Sequence, residues 1–292
     1  MKNLPVLLLI AGIGLLCSCK EKNNSINLIV GPKAFDTTYV TAAPVAQKRV
    51  LLAEEFTGAT CPYCPGGREL LANIASQHPG QVIATELHLT TTPQSAPATS
   101  HGSKYDLRKQ KAQDIFNMFY KAIDHIPMAG ISRVPVNNEM AISIDRWADA
   151  VDKLSKTTSP VNVTISNNFD NSNNTAVIKV QVVYTQAVSQ KQSLSIELLE
   201  DNIVDVQEFT DHYDLNYSFK NTFRDILTAA SGDEFLSDLA TKEPGRVYER
   251  TIILSNMDPA FRPENCRVVA FVHNNEATNK EVLQAAEAKL KQ

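Results

Sequence analysis

The chain has 292 residues but little cysteine, no surplus of positive charge and, past its first segment, no long apolar run. Each absence excludes something. Lys and Arg number 28 against 32 Asp and Glu, a net charge of −4, so the basic footprint of a nucleic-acid-binding protein is missing and no nucleic-acid partner is expected. Without a second stretch of about 18 apolar residues, no further membrane-spanning helix can be written. Structural zinc sites usually draw on two tight ligand clusters, and Cys266 with His273 is the one extra pairing that the C-terminal half offers. Cys64 is followed by Pro65 rather than histidine, which excludes haem attachment at that motif. No external cofactor is implied.

What is present begins with a leader. Lys2 precedes an apolar run from Leu4 to Leu16, which is too short to span a bilayer and has the build of a signal peptide. The run ends in Leu16-Cys17-Ser18-Cys19, which resembles a bacterial lipoprotein cleavage site. Cys19, with small Ser18 directly before it, is the expected lipid anchor, whereas bulky Leu16 precedes Cys17. Removal of residues 1–18 leaves 27 basic and 32 acidic residues, 27 − 32 = −5. The membrane is then expected to be reached through lipid only, and Cys61, Cys64 and Cys266 face an oxidising compartment.

Residues 19–47 are polar and unpatterned and read as a tether. After it, Val50 to Phe56 is strand-like, Thr57-Gly58-Ala59-Thr60 is a turn of small residues, and Cys61-Pro62-Tyr63-Cys64 opens a helix. Pro62 suits a first helical turn, and Leu70, Leu71, Ile74 and Ala75 repeat at helical spacing until Pro79-Gly80. Two cysteines at this spacing can close one disulfide. At a helix N-terminus, unsatisfied backbone N–H groups and the positive end of the dipole favour thiolate. A second strand is expected over residues 81–89. A helix is expected from Tyr105, with a stripe of Ile115, Met118, Phe119, Ala122, Ile123 and Ile126, then a strand through Val134-Pro135-Val136 and a helix from Ile144 to Leu154.

That order, with a CxxC after the first strand, resembles the thioredoxin fold with a lengthened middle. The resemblance implies an α/β thioredoxin-like domain over residues 48–157. It also implies a cis proline beside the cysteines, for which Val134-Pro135 matches, and a buried acid six residues before the first cysteine, for which Glu55 matches. Residues 158–292 change to short alternating runs separated by Asn-rich turns and predict an all-β immunoglobulin-like sandwich, with residues 201–240 as an insertion; for Val282 to Leu290 the Ala, Glu and Lys content favours a helix and the alternation a final strand, the reading preferred here. Phe209, Tyr213, Tyr217, Phe219 and Phe223 mark that insertion as self-packed or, alternatively, as a partner surface.

The lipid-site leader, Glu54-Glu55-Phe56-Thr57-Gly58 leading to Cys61-Pro62-Tyr63-Cys64-Pro65, Val134-Pro135 and the β-rich second half together resemble the Omp28-related outer-membrane lipoproteins of Bacteroides-type bacteria. The resemblance implies outer-membrane attachment. Two functions are consistent with these residues. The first is thiol–disulfide exchange on envelope proteins, with Cys61 attacking, Cys64 resolving, Glu55 relaying protons and Pro135 shaping the groove. The second is a binding or adhesion lipoprotein in which Cys61–Cys64 is a structural disulfide and the partner is a surface ligand. His88, ending the second strand, either tunes the thiolate or is solvated, and Cys266 is expected to be a small buried hydrophobe.

Overall fold

A computed structural model describes residues 33–255, 257–258 and 260–291; the leader, Cys19 and the start of the tether lie outside them. The strands, in chain order, are β1 (Lys33–Val40), β2 (Leu51–Thr57), β3 (Val82–His88), β4 (Met128–Ile131), β5 (Ile142–Ser143), β6 (Val161–Asp170), β7 (Thr175–Tyr184), β8 (Gln192–Glu200), β9 (Ile203–Glu208), β10 (Tyr213–Phe219), β11 (Thr222–Ile226), β12 (Asp233–Glu234), β13 (Arg246–Leu254), β14 (Cys266–Asn274) and β15 (Val282–Lys289). The helices are α1 (Cys64–Gln77), α2 (Gln110–Phe119) and α3 (Trp147–Leu154). The architecture is therefore mixed α/β and mostly β.

β2 and β3 run parallel, with Glu55 opposite Glu86, and α1 is the crossover between them. β4 pairs antiparallel with β2 on the other side, from Phe56 opposite Met128 to Ala53 opposite Ile131. Leu51 and Ala53 of β2 face Leu71 and Ile74 of α1 and Trp147 and Val151 of α3. Leu52 and Phe56, one residue out of phase, face Phe116 and Phe119 of α2. This is the two-residue period of a strand buried on both sides, where each filled Leu or Phe position contributes about 1.5–3 kcal/mol. Trp147 is fully buried and its indole N–H donates to Ile142 O at 2.9 Å.

The boundary expected near residue 157 is not a break between two bodies. A single nine-stranded sheet crosses it in the order β15-β14-β8-β11-β3-β2-β4-β5, with β12 paired to β8. β11 supplies the join: Thr222 pairs with Glu86 on one side and Glu200 on the other. The remaining strands form an antiparallel sheet, β1-β13-β7-β6, whose Ile178, Val180 and Val182 pack on Leu194, Ile196, Val268 and Ala270. Two layers of strands do face each other in the second half, as alternation predicts, but one layer is shared with β2 and β3, so the expected free-standing immunoglobulin-like sandwich is replaced by a common sheet.

Other expectations shift locally. The tether of residues 19–47 contains β1, which pairs over its whole length with β13, Lys33 opposite Ile253 through Val40 opposite Arg246. α2 stops at Phe119 because Lys121 adopts φ 69°, a left-handed residue that ends a helix, so Ala122, Ile123 and Ile126 lie in the following loop. The strand expected through Val134 ends at Ile131, where Ser132 and Arg133 take φ 48° and 51°. The insertion is ordered: β9 and β10 form a hairpin, and β11 and β12 join the large sheet. The C-terminal segment is a strand, as its alternation suggests.

Candidate functional site

The cysteine pair sits where β2 ends and α1 begins. Cys61 and Cys64 form a disulfide, with Cα atoms 5.4 Å apart, and Cys64 N donates to Cys61 O at 3.2 Å. Pro65 lies in the first turn of α1, where its missing N–H has no partner to lose. The pair is closed: Cys61 is 2% exposed and Cys64 fully buried, while Tyr63 between them is 69% exposed. The preceding turn is clamped by the loop after β3. Thr60 N donates to Gln94 O, Ser95 Oγ donates to Thr57 O, and a Cβ on Gly58 would collide with Gln94 O, so no larger residue fits there.

Ile126 and Pro127 close the other side. Cys61 Sγ is 3.7 Å from Ile126 O, the Ile126–Pro127 peptide is cis, and a Cβ on Gly67 would come within 2.9 Å of the Pro127 ring. Pro127 therefore occupies the position expected for Pro135, which needs correcting. β4 runs antiparallel to β2 and carries the chain away from the cysteine end, so Pro135, four residues beyond Ile131, lines a separate cavity of about 860 Å³ with Met118, Arg133 and Met140. The Val134–Pro135 peptide is not cis. An aliphatic-Pro pair occurs twice in this stretch, and nothing local in the sequence distinguishes the two.

Beneath α1 lies a charged cluster. Glu55 is 1% exposed, its Oε1 has no hydrogen-bond partner, and that atom sits 3.2 Å from the Cβ position of Gly67, one turn past Cys64. Arg68 Nε donates to Glu86 Oε2 at 2.9 Å, and Arg68 Nη1 donates to Gln207 Oε1 at 2.8 Å. Gln207, fully buried on β9, donates from Nε2 to Cys61 O at 3.1 Å and to Glu208 O at 2.8 Å. Glu208 N donates to Ala59 O, and the Arg68 guanidinium lies 5.4 Å and 5.0 Å from the ring centres of Tyr217 and Phe219. Burial, reinforced by Glu86, holds the Glu55 carboxyl well above the usual carboxylate range. Burial also pushes Glu86 up to about 6 against the pull of Arg68. His88 is buried beside Phe219 rather than solvated; both ring nitrogens lack partners, and burial with nearby Arg68 pushes it down to about 3.

Glu54 points to the opposite face, as strand alternation requires, and is equally buried. Arg133 meets it with Nε at 2.8 Å and Nη2 at 2.7 Å, Tyr120 Oη donates to it, and the guanidinium stacks 3.6 Å from the Phe119 ring centre. Glu197 of β8 shares this face; burial, then the Glu54 charge, pushes it up to about 8. Cys266 and His273 stand at opposite ends of β14 and, seven residues apart, on opposite faces, so they cannot hold one ion together. Burial pushes the Cys266 thiol up to about 12, as suits a packed side chain. Gln207, Arg68, Glu86 and Arg133 carry no motif and are legible only after folding.

Fold and site thus define a mixed α/β, mostly β protein with a closed CxxC disulfide at the head of a helix, flanked by buried charge on both faces of one strand. The chain belongs to the family of outer membrane protein Omp28, which it matches over residues 116–292; the cysteine pair precedes that stretch. Among solved structures it is similar to HBP35 of Porphyromonas gingivalis, at 19% identity and a TM-score of 0.64, covering 83% of this chain and 76% of that one. It is also similar to a protein of Agrobacterium tumefaciens, at 13% identity and a TM-score of 0.50, covering 85% and 97%. A domain of the outer membrane lipoprotein Omp28 from Porphyromonas gingivalis matches at 15% identity with a TM-score of 0.29, covering 46% and 89%. Comparison with curated protein sequences returns no match. Among the described residues no helix is long and apolar enough to cross a membrane.

Proposed function

We propose that this Omp28-family protein is a thioredoxin-like lipoprotein, anchored through Cys19, that exchanges disulfides with thiols of envelope proteins. The observation that carries this reading is Glu55, an unpaired carboxyl buried one turn beneath the cysteine pair. Burying a polar group without a partner costs several kcal/mol, and a disulfide that only staples a helix has no use for one. A protonated carboxyl there serves exchange directly.

In the reductive direction, a partner thiolate attacks Cys61 Sγ, the S–S bond breaks, and its electron pair leaves on Cys64 Sγ. Cys64 takes the Glu55 proton. A second partner thiolate then attacks the mixed disulfide, forming the partner's disulfide and releasing Cys61 as thiolate, so the partner is oxidised by two electrons and this pair reduced by two. Every step runs equally in reverse, with Glu55 accepting the proton from Cys64. Attack on Cys61 needs the Gln94 loop or the Ile126 end of β4 to yield, since the sulfur is covered in the closed state.

That cover favours a second reading, a structural disulfide in a binding or adhesion lipoprotein. The two readings separate by experiment. A Cys64→Ala protein that traps mixed disulfides from envelope extracts, with a wild type that reduces insulin in the presence of a dithiol, supports exchange. No trapped partner, no insulin reduction and a pair potential below about −300 mV leave the staple.

A further inference from the structure

The hairpin of β9 and β10 comes from the second half of the chain, about 140 residues beyond the cysteines, yet it supplies the side chain that grips the first of them. Gln207 holds Cys61 O with its amide nitrogen and Arg68 Nη1 with its amide oxygen. Arg68 is four residues past Cys64 on α1, so the two share one helix face. Arg68 is 8% exposed, its guanidinium capped by Tyr217 and Phe219 of the same hairpin and ion-paired through Nε with Glu86. Facing it are Glu55, whose carboxyl burial holds well above the usual carboxylate range, His88, which stays neutral, and the Tyr217 phenol. Among the described residues Arg68 is the permanent positive charge that the hairpin holds under the first turn of α1, and the hairpin sets its direction.

We propose that Arg68, aimed by Gln207, is the positioning residue that stabilises anionic sulfur when the pair is reduced, which makes the β9–β10 hairpin a working part of the exchange site. The inference rests on the exchange reading for its purpose, but its physical content is a property of the reduced pair itself. A buried cation near a thiolate favours the charged form, typically by one to three pKa units. A dithiol whose reduced form is stabilised in this way is the stronger oxidant.

The test compares the full mature chain with Arg68→Met, Arg68→Lys, Gln207→Met and wild type, each reduced chemically. Iodoacetamide labelling of Cys61, followed peptide by peptide across pH, reads the thiol pKa, and equilibration with glutathione reads the dithiol–disulfide balance. Arg68→Met is expected to cut the Cys61 thiolate fraction near neutral pH about tenfold or more and to move the glutathione equilibrium at least tenfold toward the disulfide, or about 30 mV. Gln207→Met should shift both in the same direction by less, and Arg68→Lys should recover most of the labelling. If Arg68→Met does not fold, Gln207→Met decides. Labelling curves and equilibria within twofold of wild type in every folded variant overturn the proposal. A wild type that trades no disulfide with any protein refutes the exchange reading alone, because the labelling comparison is still decisive for Arg68.

Discussion

Replacing Glu197 with Gln should change how stability depends on pH, and by an amount that its position sets. Glu197 lies on β8 inside the large sheet, fully buried, with neither carboxyl oxygen hydrogen-bonded, and it shares its face with Glu54, Arg133, Tyr120 and Thr85. Burial and the Glu54 charge raise it from 4.5 to about 8. Below pH 4.5 the carboxyl is protonated in both folded and unfolded chains and imposes no penalty. Between 4.5 and about 8 the unfolded chain loses that proton while the folded chain keeps it. Folding then weakens by about 1.4 kcal/mol per pH unit, up to about 5 kcal/mol in all, and the loss is constant above that range. Glu197→Gln removes this slope and leaves Glu55 and Glu86, which slope the same way, in both proteins. Urea unfolding of wild type and variant at several pH values from 5 to 8.5 measures it: the variant's advantage should grow steadily with pH at unchanged m-value. Parallel curves across that range would refute the argument that this carboxyl is held neutral by its surroundings.

Arg133→Met leaves Glu54 buried without its cation and should destabilise the fold by about 3–5 kcal/mol, whereas Glu54→Leu with Arg133→Met should recover much of that loss; equal midpoints for the single variant and wild type in urea would contradict the pairing. His88 is neutral in the folded state and pushed down to about 3, so its stabilising effect is present above pH 6.5 and lost as pH falls toward 3. His88→Leu should therefore lose about 3 kcal/mol less than wild type between pH 6.5 and 4.5, and an unchanged acid limb in the same unfolding series would disprove it. Gly58→Ala forces a methyl against the Gln94 carbonyl and should cost about 1–3 kcal/mol while exposing the cysteine turn, seen as faster reduction of Cys61–Cys64 by dithiothreitol; wild-type stability and reduction rate would show that the turn is not clamped.

Local chemistry made part of this molecule legible from sequence alone. Strand, CxxC, helix and strand can be read in order because the apolar period changes from two to 3.6 at Cys64, and alternation alone marks β6, β7, β8, β13, β14 and β15 as strands. Glu54 and Glu55 had to face opposite ways for the same geometric reason. Tertiary structure decided the rest. Whether β8 and β14 close a sandwich of their own or extend the sheet of β2 and β3 depends on β11, which pairs along β8 and reaches β3 through Thr222, and whose composition bears no mark of it. Pro127 rather than Pro135 meets the cysteines because β4 runs antiparallel to β2, and strand direction is a matter of pairing, not of local pattern. Gln207 reaches Cys61, and Arg133 reaches Glu54, across 146 and 79 residues of chain; contacts at such separation arise only once the sheet has assembled, and a lone glutamine or arginine in a sequence carries no trace of the partner it will find.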